Sequence, residues 1–347
     1  MSAALPTDPA ALFEAARAGN QSALARLLSL VERGGSRSRT VAALAYRSHE
    51  TAYSVGITGA PGAGKSTLTD RLITCARTRG LDGSDRVAVL AVDPSSPYSG
   101  GAILGDRVRM PSHALDDRVF IRSMATRGHL GGLSVAVPDA VRVLAAVGMP
   151  VVLVETVGVG QQEVEVAAAT DTTIVVVNPG WGDAIQANKA GLLEIADLFV
   201  INKADRPGAR ETRRDLELML ELTELGDWRP PIVDTVASAG EGVEVLWDAI
   251  EQHRSHQIEL GTLAELRRQR LEREFHQILV ARLTEQIDTM MTTAPFAGVL
   301  ADLAAGELDP YQAADRLVTG LREGPAPPRP GHPEAPRHTT GGSPPAG

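Results

Sequence analysis

Lysine is almost missing from this chain. Of its 34 basic residues, 31 are arginine, and only Lys65, Lys189 and Lys203 are lysine. A sequence that writes arginine for nearly every positive charge keeps lysine where a compact ammonium on a thin stem is required. Codon bias with three survivors is the plain alternative. Cysteine is scarcer still, since Cys75 stands alone. That excludes an internal disulfide framework and a multi-cysteine metal site, and it suits a reducing compartment. Aromatic residues make up 3% and the formal charge is −9. A nucleic-acid partner, which would need a basic face for phosphates and rings for bases, is therefore not expected. Long hydrophobic runs are absent too. The run at 151–154 is strand-length, far below the roughly 20 residues that span a bilayer. Asp8, Glu14 and Glu32 break up the N-terminal segment, so neither a leader nor a membrane anchor is expected, and the chain reads as cytoplasmic.

What remains is enough for a sizeable core: 347 residues, 43% of them hydrophobic. The length fits about two domains, or one large α/β domain with helical appendages. Residues 1–50 read as short helices. Asp8 and Pro9 make a helix start, and Leu24, Leu27, Leu28 and Val31 form a stripe at i, i+3, i+4, i+7. From Tyr53 to about Ile250, β-branched runs alternate with helical stretches: 55–58, 87–92, 119–121, 151–155, 173–177, 199–201 and 232–236. Continuous apolar strands between amphipathic helices predict an α/β fold with a mainly parallel central sheet covered by helices on both faces. Beyond Val243 the pattern turns helical, and Leu271, Phe275, Leu279, Leu283 and Ile287 recur every four residues as one stripe to bury, on its own domain or on a second subunit. Residues 324–347 hold 8 of the 22 prolines and no apolar period, so a disordered tail is expected there. The scheme is thus an N-terminal helical extension (1–50), a central α/β domain (51–256), a C-terminal helical arm (257–323) and the tail.

Gly59, Ala60, Pro61, Gly62, Ala63, Gly64, Lys65 and Ser66 fit GxxxxGK[ST], with Thr67 next in line, after a strand and at the head of a helical pattern. Glycines let backbone N–H groups curl around a β-phosphate at the helix N-terminus. Lys65 would bridge the β and γ oxygens and Ser66 would hold magnesium. A nucleoside triphosphate is the expected ligand.

Asn202, Lys203, Ala204 and Asp205 place NKxD directly after a buried strand, at the sheet edge where α/β folds bind ligands. The Asp205 carboxylate can accept from both N1–H and the 2-amino group of guanine, whereas adenine has an acceptor at N1 and no such amine. A buried acceptor left unpaired is costly, so GTP is expected over ATP. Asn202 would brace the loop, the Lys203 stem would lie on the purine plane, and Ser238, Ala239 and Gly240 match the short loop that backs guanine in GTPases.

A third signal is the strand 151–154 ending in Glu155, three residues before Gly158. Most GTPases carry aspartate there. Glu155 would reach magnesium through water and the Gly158 N–H would contact the γ-phosphate. Asp93 and Asp106 sit at or beyond strand ends and suit the same ion, with capping of a turn by Asp93 and of a helix by Asp106 as the lesser alternative. The catalytic set is then Lys65, Asp93, Asp106 and Glu155. No glutamine directly follows Gly158, since Val159 does and Gln161 and Gln162 come later. Slow hydrolysis, raised when a partner orders the switches, is expected.

These motifs, with 92–96, 105–110, 127–132 and 155–161, resemble the MeaB/ArgK family of GTPases, the chaperones associated with methylmalonyl-CoA mutase. The resemblance runs from about residue 10 to 320. It implies a P-loop GTPase fold with helical extensions, a homodimer built by helices outside the G domain, and an adenosylcobalamin-dependent acyl-CoA mutase as partner, joined by an adenosyltransferase. GTP binding and hydrolysis would gate loading of intact cofactor and protect or reactivate the mutase. Within 180–191 the resemblance marks a third mobile segment, in which Asp183, Gln186 and Lys189 would form a nucleotide-responsive contact network; an ordinary amphipathic helix start is the alternative. None of the eight histidines has Asp two residues earlier, as a DxHxxG cobalamin motif needs, so Mg2+ with GTP or GDP is expected here and cobalamin is expected to stay with the partner. The competing functions are a metal-insertion GTPase, which one cysteine and scattered histidines disfavour, and a kinase of a transport protein, for which no acceptor base is evident.

Overall fold

A computed structural model describes residues 5–94, 110–113, 115–126, 132–156, 162–180, 191, 194–223 and 226–323. All seven predicted strands form: β1 (Tyr53–Gly59), β2 (Val87–Pro94), β3 (Val119–Thr126), β4 (Val151–Thr156), β5 (Thr172–Val177), β6 (Leu198–Asn202) and β7 (Ile232–Thr235). They make one sheet in the order β3-β2-β4-β1-β5-β6-β7, and every neighbouring pair is parallel. The sheet is therefore wholly parallel, where the sequence pattern pointed to a mainly parallel one.

The strands read as unbroken apolar runs because both faces are covered. Alternate residues serve opposite sides. Val55, Ile57, Val89 and Leu153 pack with Leu68, Leu72 and Ile73 of helix Lys65–Arg79 and with Leu246, Trp247 and Ile250 of helix Val243–Glu259. Ala88, Leu90, Val152 and Val154 pack with Ala140, Val143 and Leu144 of helix Gly132–Ala146. The N-terminal stripe Leu24, Leu27, Leu28 and Val31 joins this second cluster, so the first three helices share a core with the sheet. Farther along, Val175, Val177, Phe199 and Ile201 meet Leu216, Met219 and Leu220 of helix Ala209–Glu221. Asp8 caps the first helix as its spacing foretold, accepting from the Ala11 N–H at 3.0 Å with Pro9 at the first helical position.

The chain divides into two compact units, Met1–Ala281 and Arg282–Gly347. Helix Thr262–Met291 runs from the first into the second. The second unit also holds helices Ala294–Ala304 and Pro310–Glu323, with Arg316 Nη1 3.0 Å from Asp302 Oδ2. The proline-rich segment 324–347 lies outside the described residues. Among the described residues, no helix is long and apolar enough to cross a membrane.

One buried carboxylate fastens the long helix to the amino-terminal edge of the sheet. Asp171 precedes β5 and accepts from the Ser54 N–H of β1 at 3.0 Å. It also pairs with Arg267 at 2.7 Å and Arg270 at 2.8 Å. The same arginines donate to the Ala52 and Thr170 carbonyls. Burial alone would raise the Asp171 carboxyl, but the hydrogen bonds from Arg267 and the charges of both arginines bring it below its ordinary value. A group depressed in the folded state stabilises above its unfolded value and loses that contribution as pH falls through the folded one. Asp171→Asn should therefore cost about 3 kcal/mol at neutral pH, because two arginines lose their counter-charge. In urea titrations the gap to wild type should narrow as pH drops below the ordinary carboxylate range; a gap that does not change with pH would contradict this.

Candidate functional site

A parallel sheet brings all its carboxyl ends to one edge, and in open α/β folds ligands bind there. β1 delivers the glycine-rich loop to the middle of that edge. Gly59 has φ +129°, and a Cβ on it would stand 2.0 Å from the Val176 carbonyl oxygen, so no other residue fits. The loop turns through an Ala63 N–H to Ala60 O bond of 3.2 Å and enters the helix at Gly64. Lys65 bends back into the loop, buried, its Nζ donating to the Gly59 carbonyl at 2.7 Å and the Ala60 carbonyl at 2.9 Å. The ammonium thus lies within the cradle, above the helix N-terminus. Ala63 is buried, while Pro61, Gly62 and Thr67 are exposed.

The second loop comes from β6 and is joined to the first by one side chain. Asn202, 2% exposed, donates from Nδ2 to the Ala63 carbonyl at 2.8 Å. Its Oδ1 accepts from the Ala237 N–H at 3.1 Å and the Thr235 hydroxyl at 3.2 Å. Lys203, at φ +59°, donates from Nζ to the Gly62 carbonyl at 2.7 Å. Asp205 is exposed beyond it, and the Ala204 N–H donates to the Thr235 carbonyl at 3.0 Å. Ser238 and Ala239 are exposed at the same edge, and Gly240 (φ +80°) closes their turn through an N–H bond to the Ala237 carbonyl at 3.2 Å. The phosphate cradle, the NKxD residues and the 238–240 loop therefore meet.

The third element is β4. Glu155, 1% exposed, stands opposite Ile57 of β1 and Ala91 of β2, and its Oε1 accepts a hydrogen bond from the Ser66 hydroxyl at the head of the helix. Next to it, the Thr156 hydroxyl donates to that of Thr58 at 3.1 Å and ties the two strand ends together. Two hard oxygen donors so placed are what a magnesium ion takes from a protein. Asp93 lies on β2 opposite Ala125, two residues past the position paired with Glu155, which places its backbone at the same edge. Asp106, Gly158, Asp183, Gln186 and Lys189 lie outside the described residues, as does the 127–131 segment.

Two features of the site were not read from the sequence. Thr235 and Ala237, directly before the 238–240 loop, supply the contacts to Asn202; the polar residue ending an apolar strand was the available signal. Arg71, on the helix behind the cradle, donates to the Ala237 and Ser238 carbonyls, a contact spanning 166 and 167 residues that no local pattern announces.

Comparison with known proteins agrees with this geometry. The family described as methylmalonyl-CoA mutase-associated GTPase MeaB matches residues 24–292. A Pyrococcus abyssi protein named as a GTPase is 47% identical over 312 residues, 88% of this chain and 95% of its own. The mouse methylmalonic aciduria type A homolog is 31% identical over 326 residues, covering 88% of this chain and 77% of its own. A crystal structure described as an LAO/AO transport system kinase superposes with a TM-score of 0.66 at 26% identity, over 92% of this chain and 100% of that one. With its glycine-rich GK[ST] loop, its NKxD residues and Glu155 of β4 gathered at one edge of the sheet, this chain is a GTPase and belongs to the MeaB family.

Proposed function

We propose that this GTPase is a chaperone that gates adenosylcobalamin loading and protects or reactivates a B12-dependent acyl-CoA mutase, methylmalonyl-CoA mutase or a close relative. The observation that carries the reading is the Asn202 joint, which ties the glycine-rich loop at Ala63 to Ala237 just before the 238–240 loop; in this reading the joint makes one guanine-nucleotide pocket whose state a partner would sense. The description of the matched family supports the mutase as that partner, with an adenosyltransferase as a second one. Residence in the cytoplasm is part of the same proposal, supported by the lone cysteine, which suits a reducing compartment.

In this reading the amides of 59–64 wrap the β-phosphate, and Lys65 swings from the Gly59 and Ala60 carbonyls to the β and γ oxygens. Ser66 and Glu155 would hold Mg2+, joined by Asp93 and Asp106; their hydroxyl and carboxylate oxygens suit that ion. When bound, the ion neutralises charge developing on the transferred phosphoryl group. Gly158 would face the γ-phosphate, Asp205 would select guanine, and Asp183, Gln186 and Lys189 would report nucleotide state to the mutase. Cobalamin would stay with the partner. The helical arm after residue 256 would build a homodimer, a reading supported by Leu271, Phe275 and Leu279, which are all exposed on the long helix.

Incubation of the protein with γ-labelled GTP, with and without a purified mutase, tests the proposal. Labelled free phosphate released several times faster with the mutase is the expected result. A rate indifferent to the mutase, or label retained on protein, would contradict it. The base assignment has its own test. Asp205→Asn exchanges an acceptor of the 2-amino group for a donor, so GTP affinity should fall about a hundredfold, the loss of two charge-assisted hydrogen bonds, while xanthosine triphosphate, with a C2 carbonyl, should gain. Unchanged GTP affinity in competition binding would remove Asp205 from the pocket.

A further inference from the structure

The loop that backs the base is held from a second direction. Arg71 lies six residues after Lys65 on the same helix, about 9 Å further along its axis. Its Nε donates to the Ala237 carbonyl at 3.1 Å and its Nη2 to the Ser238 carbonyl at 3.0 Å. Among the described residues these two carbonyls take its hydrogen bonds and no carboxylate pairs with it. Arg77, Arg79, Arg142 and Arg213, by contrast, all find acidic partners.

We propose that Arg71 is a positioning residue for guanine, a clamp that fixes the 237–240 loop at a set distance from the phosphate cradle. The proposal rests on the guanine-nucleotide reading given above. Ala237 is gripped at both ends, its N–H by Asn202 and its carbonyl by Arg71. A trans peptide points its N–H opposite to its C=O. Drawing the Ala237 carbonyl onto the helix therefore turns the Ser238 N–H away from it, and that group makes no backbone bond among the described residues. An outward N–H at this edge suits the C6 carbonyl that guanine and hypoxanthine share, and it opposes the C6 amine of adenine. Ser238 and Ala239 are exposed, so without the clamp nucleotide binding would have to order them at an entropic cost. The anchor grows from the helix whose first turn carries Lys65 and Ser66, so base loop and phosphate cradle share one rigid support.

The test separates base from phosphate. Dissociation constants for GDP, IDP and pyrophosphate are measured by competition on wild type and on Arg71→Ala, with thermal midpoints alongside. Two hydrogen bonds to the loop translate into about a tenfold loss. GDP and IDP should weaken by that same factor, since both carry the C6 carbonyl, while pyrophosphate competes as before. KM for GTP should rise in step, with kcat changed by less than about twofold, and Arg71→Lys, which keeps one cationic donor, should recover part of the loss. If Arg71→Ala does not fold, Arg71→Gln is read the same way. Unchanged GDP affinity overturns the proposal. So does pyrophosphate weakening alongside GDP, which would mean that the helix itself was disturbed. A wild-type protein that binds ADP as well as GDP would remove the guanine reading and this inference together, whereas a guanine-selective wild type with an indifferent variant removes the clamp alone.

Discussion

The site depends on a single buried amide. Asn202 offers two kinds of group within one planar side chain, and both are committed: the NH2 to the cradle at Ala63 and the oxygen to Thr235 and Ala237. Aspartate would bring no donor to the Ala63 carbonyl, and an apolar residue would leave three buried polar groups without partners, each costing about 1–3 kcal/mol. The same contact dictates a glycine. A Cβ at Gly64 would lie 2.3 Å from Asn202 Nδ2, so the left-handed turn into the helix and the close approach of the amide require one another. Phosphate loop, NKxD loop and base loop are consequently parts of one packed object.

The sheet makes that object stiff from below. β1 carries the cradle at its carboxyl end, and at its amino end Ser54 is hydrogen-bonded to Asp171 in both directions. Through Arg267 and Arg270, the Asp171 carboxylate holds the first turns of the long helix. A strand buried on both faces and fastened at both ends has little freedom to bend.

Much of this was legible beforehand, and the reason is distance along the chain. The GxxxxGK[ST] and NKxD motifs are local, each a strand end followed by residues whose chemistry is explicit, and the structure brings them together as their spacing implied. The strands were legible because burial on both faces erases alternation and leaves apolar runs. Their ends were not: β3 continues to Thr126 past the run that ended at Ile121, because its polar residues still pair along β2. Asp171 was hidden for a different reason. An acid before a strand looks like a turn residue, and only the fold reveals the two arginines about a hundred residues later that make its burial tolerable. Arg71 was hidden likewise, on a helix face that any solvated arginine could occupy.

The claim at the centre is that cradle and base loop form one pocket selective for guanine. Titration calorimetry with Mg2+ measures it directly by comparing GDP with ADP on the purified chain. A GDP affinity at least about a hundredfold above that for ADP is expected, as for a site whose buried polar groups pair with only one base. Equal affinities, or heat from neither nucleotide, would contradict the account.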